Sequence, residues 1–304
     1  NLNENISDYT SADSVRMLTE MFAWITDQLS QRMDLVANEL YLDTAENKEN
    51  LIKMLKIIGF ELDFPECARA EFDINITNYD SGSENELMLS SGVLRGNKIQ
   101  LTDSSFKKVN HALTNKTFEL IVYDSAENKY EYFTEVFIKV KEANKGKLMY
   151  EGETRSLPFR VNTKGYFVKT INEPVIKNSI RIFYTNLVNG EPIEIKQVDN
   201  FFGPETVYSD TPVYRVSNLG GGRTEIIFPN FEDVEDKNLL NIGDEMTILY
   251  RVGGGRDGNI DIGSLIYKQE IWLNGGVRRG YIDIRNTSKG ISGINEENIE
   301  DIRR

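Results

Sequence analysis

The chain has 304 residues, 39% hydrophobic and 27% charged, the balance of a folded protein of two or three domains rather than a disordered one. With 35 basic against 48 acidic residues the formal net charge is −13, and no stretch gathers Lys and Arg densely enough to track a phosphate backbone, so nucleic-acid binding is disfavoured. One cysteine, Cys67, and one histidine, His111, exclude an internal disulfide, a Cys/His metal cluster and a histidine-based triad; no run approaches the ~18 apolar residues of a membrane span.

In chain order, residues 13–40 read as one long helix. Ser11 and Asp13 are start signals, no Pro or Gly interrupts, and Val15, Leu18, Phe22, Ile25, Leu29, Met33, Val36 and Leu40 recur at steps of three or four. At 1.5 Å per residue such a helix is ~40 Å long, and its stripe is close to a coiled-coil seam, widened by Met21 and Trp24. The stripe packs either in a bundle of its own chain or against another subunit; the scarcity of helix downstream favours the second. Asp43, with Glu46 as capping-box partner, opens a second helix whose apolar face is Leu51, Met54, Leu55 and Ile58 and whose stop is Gly59. Together the two predict a helical hairpin.

Beyond Pro65 the period changes. Ala68, Ala70, Phe72, Ile74 and Ile76 alternate with polar residues, and further strands are expected at 118–123, 132–140, 166–170, 180–184, 213–216, 224–228, 245–252, 269–273 and 281–285. Turns at Asp80-Ser81-Gly82, Gly96-Asn97 and Asn189-Gly190 separate some of them. The last two strands alone would make a hairpin that is marginal in water, so they are expected to join the sheet begun at Ala70. A linear string of modules is the alternative.

The expected fold class is therefore α+β: an N-terminal long-helix hairpin, then mainly antiparallel β modules, the second inserted into the first. The boundaries are a helical assembly region at 1–62, a first β module at 63–158 and 264–290, a second at 159–263, and the start of a further, truncated helical segment at 291–304. Asn295-Glu296-Glu297 is its start signal. Gly253, Gly254, Gly255, Gly258 and Gly263 are expected to make the turn by which the chain returns.

Features that invite a catalytic reading fall short. Gly220-Gly221-Gly222 sits between strands with no helix N-terminus to present amides to a phosphate. Asp257, Asn259 and Asp261 match the first, third and fifth positions of a calcium loop, but Ile262 and Lys268 occupy the positions of its glycine and bidentate glutamate. Glu151 and Glu153, on alternate positions of a strand, read as a solvated acidic face rather than the pair of a glycosidase. His111 reads as a surface or loop residue, and Cys67 as a small packing residue. No catalytic, cofactor or metal site is expected.

Several stretches nevertheless resemble one family in order. Tyr41-Leu42-Asp43-Thr44-Ala45 with Leu51–Gly59 and the strand from Ala68 resembles the opening of the baseplate J-like wedge proteins of contractile phage tails. Tyr150-Glu151-Gly152-Glu153 resembles their glutamate-glycine-glutamate signature, and Val252–Gly263 their glycine-asparagine turn. Gly290–Arg304 resembles their closing segment, although Ile291 and Ser292 separate glycines that are usually paired. The resemblance implies a non-enzymatic component of the virion's tail baseplate, assembled in the host cytoplasm. It implies pairing with a second copy, bundling of the N-terminal helices with other wedge proteins, and linkage of neighbouring wedges around the hub. A fibre or carbohydrate-binding β protein is the main rival, and a hydrolase the third reading.

Overall fold

A computed structural model describes residues 4–39, 41, 44–45, 47–57, 59–77, 92–95, 98–101, 107–139, 144–162, 166–185, 192–199, 201, 212–229, 242–272 and 278–297. The chain forms two compact units, residues 1–61 with 299–304, and residues 62–298. Asp43, Glu46, Ile58, the three named turns between strands and residues 298–304 lie outside the described residues.

The first unit holds α1 (Glu4–Asn38) and α2 (Lys48–Ile57). α2 buries Leu51, Ile52 and Leu55. Its end is set by Gly59, whose φ of +81° lets its N–H reach the Lys56 carbonyl (3.1 Å) while the Phe60 N–H reaches that of Leu55 (2.9 Å), the double bond of a Schellman stop. The expected α+β fold with a long-helix hairpin is not what forms. The described structure is mainly β, and its two helices share no hairpin core: all described α1 side chains from Arg16 to Asn38 are exposed. The apolar face that α2 buries does not lie on these α1 side chains. Even so placed, the ten residues of α2, ~15 Å long, could cover only a fraction of the ~52 Å of α1.

The second unit is built of strands. The first half of the chain supplies β1 (Arg69–Thr77), β2 (Gly92–Arg95), β3 (Lys98–Leu101), β4 (Lys108–Asn110), β5 (Thr117–Glu119), β6 (Val122–Asp124), β7 (Lys129–Glu131), β8 (Val136–Lys139), β9 (Asn144–Glu151) and β10 (Glu153–Arg160). The second half adds β11 (Phe167–Ile171), β12 (Arg181–Thr185), β13 (Pro192–Gln197), β14 (Val213–Asn218), β15 (Thr224–Phe228), β16 (Glu245–Val252), β17 (Ile266–Trp272) and β18 (Arg278–Asn286). One sheet runs β17-β18-β1-β9-β5-β4, another β10-β16-β12-β13-β14-β15-β11; β2-β3-β8 and β6-β7 form small sheets of their own.

In the first sheet Ile74 of β1 stands opposite Ile284 of β18, and Ala70 opposite Met149 of β9. Ala70, Phe72, Ile74, Phe118, Met149, Ile282 and Ile284 make its core. The second sheet is antiparallel except where β13 meets β14, and it curls. Phe159 on end strand β10 approaches Phe167 on end strand β11 (6.4 Å between ring centres), and Phe167 stacks on Phe228 (4.4 Å). Ile182, Tyr184, Ile195, Ile226 and Ile248 fill the interior.

Two expected strands are broken. Residues 118–123 divide between β5 and β6 because Leu120 and Ile121, adjacent and both buried, enter different hydrophobic clusters. Tyr132 lies in a turn, where its hydroxyl donates to the Ser179 carbonyl, and β8 begins only at Val136.

The chain enters the second sheet through Gly152 and leaves it through Gly253. Both have positive φ (+112° and +145°), and a Cβ on Gly253 would lie 2.8 Å from the Gly152 Cα. Beside this double crossing sits Arg251 of β16, the largest fully buried side chain among the described residues. Its guanidinium donates to the Glu119 carboxylate on β5, to Thr154 Oγ1 (3.1 Å), and to the carbonyls of Tyr150 (3.2 Å), Glu151 (3.1 Å) and Gly152 (3.2 Å). It also lies over the Tyr130 ring at 5.0 Å. Removing one member of a buried ion pair strands the other. We expect Arg251→Met to cost about 3–5 kcal/mol, and Arg251→Met with Glu119→Gln to cost less than the two single changes together. Urea unfolding measures both; a loss below ~1 kcal/mol for Arg251→Met would refute the keystone role.

Candidate functional site

The stripe on α1 is the most extended exposed apolar feature that the sequence singles out. α1 forms because no Gly or Pro interrupts it and Arg16 pairs with Glu20 one turn on (3.1 Å). At ~100° per residue the eight stripe positions fall within an arc of roughly 80°. Leu18, Phe22, Ile25, Leu29, Met33 and Val36 are all exposed, from 38% at Ile25 to 71% at Met33. The side chain of Val15 and residue Leu40 lie outside the described residues. The spacing recurs every eleven positions (Leu18/Leu29, Phe22/Met33, Ile25/Val36), the period of helices that pack with slight right-handed supercoiling. Exposed Met17, Met21 and Leu35 widen the apolar surface along one flank, Trp24 lies as far round as Asp34, and Glu20 and Asp27 project to the opposite side. A continuous apolar surface of this length exceeds what isolated proteins ordinarily leave in water.

The residues set aside as chemically inert turn out to be structural, several in unexpected ways. Glu151 and Glu153 share no face: Gly152 separates two strands, so Glu151 is buried (1% exposed) and Glu153 lies partly in solvent. The Glu151 carboxylate accepts the Gly254 N–H (2.7 Å) and faces Lys116 Nζ (3.6 Å), whose ammonium also donates to the Gly254 carbonyl (2.9 Å). Burial raises its pKa, only partly opposed by Lys116 and the Gly254 N–H. Glu153 is lowered instead, chiefly by its bond from Lys108 (2.8 Å), with Arg155 adding to it.

His111, expected at the surface, is 4% exposed, and its Nδ1 accepts the Thr114 N–H (3.1 Å) in the tight turn between β4 and β5. Cys67 is half-buried with its sulfur 2.9 Å from the Tyr130 hydroxyl; burial pushes both the thiol and the phenol up. Gly220, Gly221 and Gly222 all have left-handed φ and form the β14–β15 loop, where the Gly222 N–H binds Glu296 (3.0 Å). Asp257, Asn259 and Asp261 do not converge. Asn259 exchanges bonds with the Gly293 backbone (2.9 and 3.0 Å), and Asp261 faces Lys289 (3.5 Å).

The expected terminal helix does not begin at Asn295. Asn295, Glu296 and Glu297 are extended, and their side chains accept the backbone N–H groups of Arg256 (2.8 Å), Gly222 (3.0 Å) and Asp63 (3.1 Å). Among the described residues no three Cys, His, Asp or Glu side chains gather as metal ligands. No described helix is long and apolar enough to cross a membrane. Scanning the chain against protein-family models gives no match, and a search among curated proteins likewise gives none.

The two glutamates flanking Gly152 predict opposite pH responses. Glu151 has a folded pKa above its ordinary value of 4.5, so the fold favours its neutral form, and its contribution to stability falls as pH rises from 4.5 through the raised value. Glu153, lowered from 4.5, contributes stability that is present above that value and is lost as pH falls through its folded pKa. Glu151→Gln should flatten the dependence of the urea midpoint on pH above ~4.5 and leave the acid limb in place. An unchanged slope above that pH would contradict the assignment.

Proposed function

We propose that this chain is a structural component of a contractile phage tail baseplate wedge, working by assembly rather than by catalysis. It pairs with a second copy and bundles its N-terminal helices with other wedge proteins. Through its β unit it links neighbouring wedges around the hub, in a virion assembled in the host cytoplasm. The observation that carries this reading is the α1 stripe, six described apolar side chains in line and all exposed. Covering it recovers ~25 cal/mol for each Å² of apolar surface removed from water, which an additional helix supplies and α2 is too short to supply. The ordered resemblance of the glycine and glutamate motifs to wedge proteins gives the assembly its identity.

The test is the oligomeric state of the full chain. Sedimentation velocity at micromolar concentration should show a self-associated species, and Phe22→Asp with Leu29→Asp should return it to monomer while the β unit keeps its melting transition. Each buried charge should cost several kcal/mol of association. A monomeric parent chain, or an intact particle in which Phe22, Ile25 and Leu29 touch only their own chain, would overturn the assembly role of α1.

A further inference from the structure

The pattern on α1 bears on which helix covers it. The stripe is mirror-symmetric about Leu29: in either direction the next positions come after four, seven and eleven residues, at Ile25 and Met33, Phe22 and Val36, and Leu18 and Leu40. A copy of the same helix laid across it, in register parallel or antiparallel about Leu29, therefore sets apolar residue against apolar residue along ~33 Å. The stripe asks for no oppositely charged partner. Between Arg16 and Asn38 only Arg32 borders it, since Arg16, Glu20, Asp27 and Asp34 lie roughly 140° or more from its centre.

The two flanks of the stripe decide the direction. Met17, Met21 and Leu35 lie on one side, roughly 80–120° from the stripe's centre, and Thr19, Thr26, Ser30 and Ala37 on the other, roughly 60–100° from it. All seven are exposed. A parallel two-fold pair brings opposite flanks together, setting the Met and Leu side chains against hydroxyls and alanine. An antiparallel two-fold pair brings each flank onto its own copy. Met21 then meets the partner's Leu35 and Leu35 the partner's Met21, because both stand seven residues from Gln28. The small flanks meet on the far side, where the Thr26 hydroxyl already donates to the Phe22 carbonyl of its own helix (2.8 Å). Of the two arrangements, the antiparallel one sets the widened apolar flank against apolar surface, so that it leaves water together with the stripe.

We infer that the surface covering α1 is α1 of a second copy, run antiparallel and crossing at Gln28 and Leu29. The inference rests on the proposed assembly and fixes its self-pairing step. Arg32 of each helix lies beside the partner's Gln28, whose amide oxygen accepts from the guanidinium, so the one charge bordering the stripe needs no countercharge from a third chain. The antiparallel sense also sets the N-terminal end of each helix dipole near the C-terminal end of the other.

The test is sedimentation velocity of the full chain carrying Met21→Glu, Leu35→Lys, or both, with Met21→Lys plus Leu35→Lys as the control. Each single change should weaken self-association about tenfold, with the melting transition of the β unit unchanged. Met21→Glu with Leu35→Lys should recover most of that loss, because each carboxylate meets an ammonium of the other helix, whereas the two lysines together should associate more weakly than either single variant. Positions 21 and 35 of one helix are ~21 Å apart, so the recovery reports contact between chains. A parent that self-associates while the opposite charges give no recovery would overturn the antiparallel pair and leave the assembly role standing. A parent that stays monomeric at micromolar concentration would overturn both.

Discussion

The β unit depends on one buried cation. Arg251 carries its charge to a place with no solvent exposure, where two sheets meet and the chain crosses between them twice. An unpaired charge there would cost several kcal/mol, so its surroundings are committed to neutralising it. Glu119 supplies the countercharge, Thr154 bridges the pair by donating to Glu119 (2.6 Å), and three consecutive carbonyls accept from the second terminal nitrogen, while Nε–H has no partner among the described residues. Those carbonyls belong to the crossing itself, so Arg251 also fixes the path of the backbone. The packing leaves no space for Cβ atoms: one on Gly152 would lie 2.5 Å from Ile176, and one on Gly258 3.0 Å from both Ala68 and Glu151. The glycines and the arginine are thus one constraint expressed in two residue types.

A second fastening lies at the edge of the same region. The segment after β18 runs antiparallel to the start of β1 and the residues ahead of it, bonded from Ile291 to Arg69 and from Ile294 to Glu66, with Glu297 against Asp63. Gly290 and Gly293 let it lie on the turn at 255–260, since a Cβ on Gly290 would meet Ile260 N at 2.8 Å and one on Gly293 would overlap the Gly255 carbonyl. Three successive side chains, Asn295, Glu296 and Glu297, then take backbone N–H groups from three separate segments. Polar side chains of an extended segment thus hold irregular backbone without a regular ladder, in bonds that are exposed or half-buried.

Much of the strand pattern was legible. The alternation from Ala68 to Ile76 gave β1, and Tyr281–Arg285 fell inside β18, because a half-buried strand imprints a period of two. Gly59 was readable as a helix stop for an equally local reason. What local pattern could not give was the use of individual polar residues. Among 48 acidic residues nothing in the sequence distinguishes Glu151 and Glu119, which are buried, from those in solvent. Strand β9 begins Asn144-Lys145-Gly146-Lys147 and reads as a loop, and β10 contains Pro158, tolerated because β10 is an end strand of its sheet. The hairpin failed for a non-local reason too: each helix has the right period, but a period does not say which surface an apolar face will meet. Of the candidate surfaces, the α1 stripe could be read from spacing alone.

The two units therefore treat polarity in opposite ways. The β unit buries the Arg251 guanidinium, the Glu119 and Glu151 carboxylates and the His111 imidazole among named partners, while α1 exposes methionine, leucine, phenylalanine and tryptophan along its length. The first arrangement is self-sufficient: its charges are answered inside residues 62–298, at the cost of strict demands on glycine and on partner geometry. The second is not, because a helix gains most of its stability from packing an apolar face, and here the described face packs on nothing. Its sequence adds only the modest support of an uninterrupted helical run and one i,i+4 ion pair. On the assembly proposed above, the term that α1 lacks is apolar surface on another molecule.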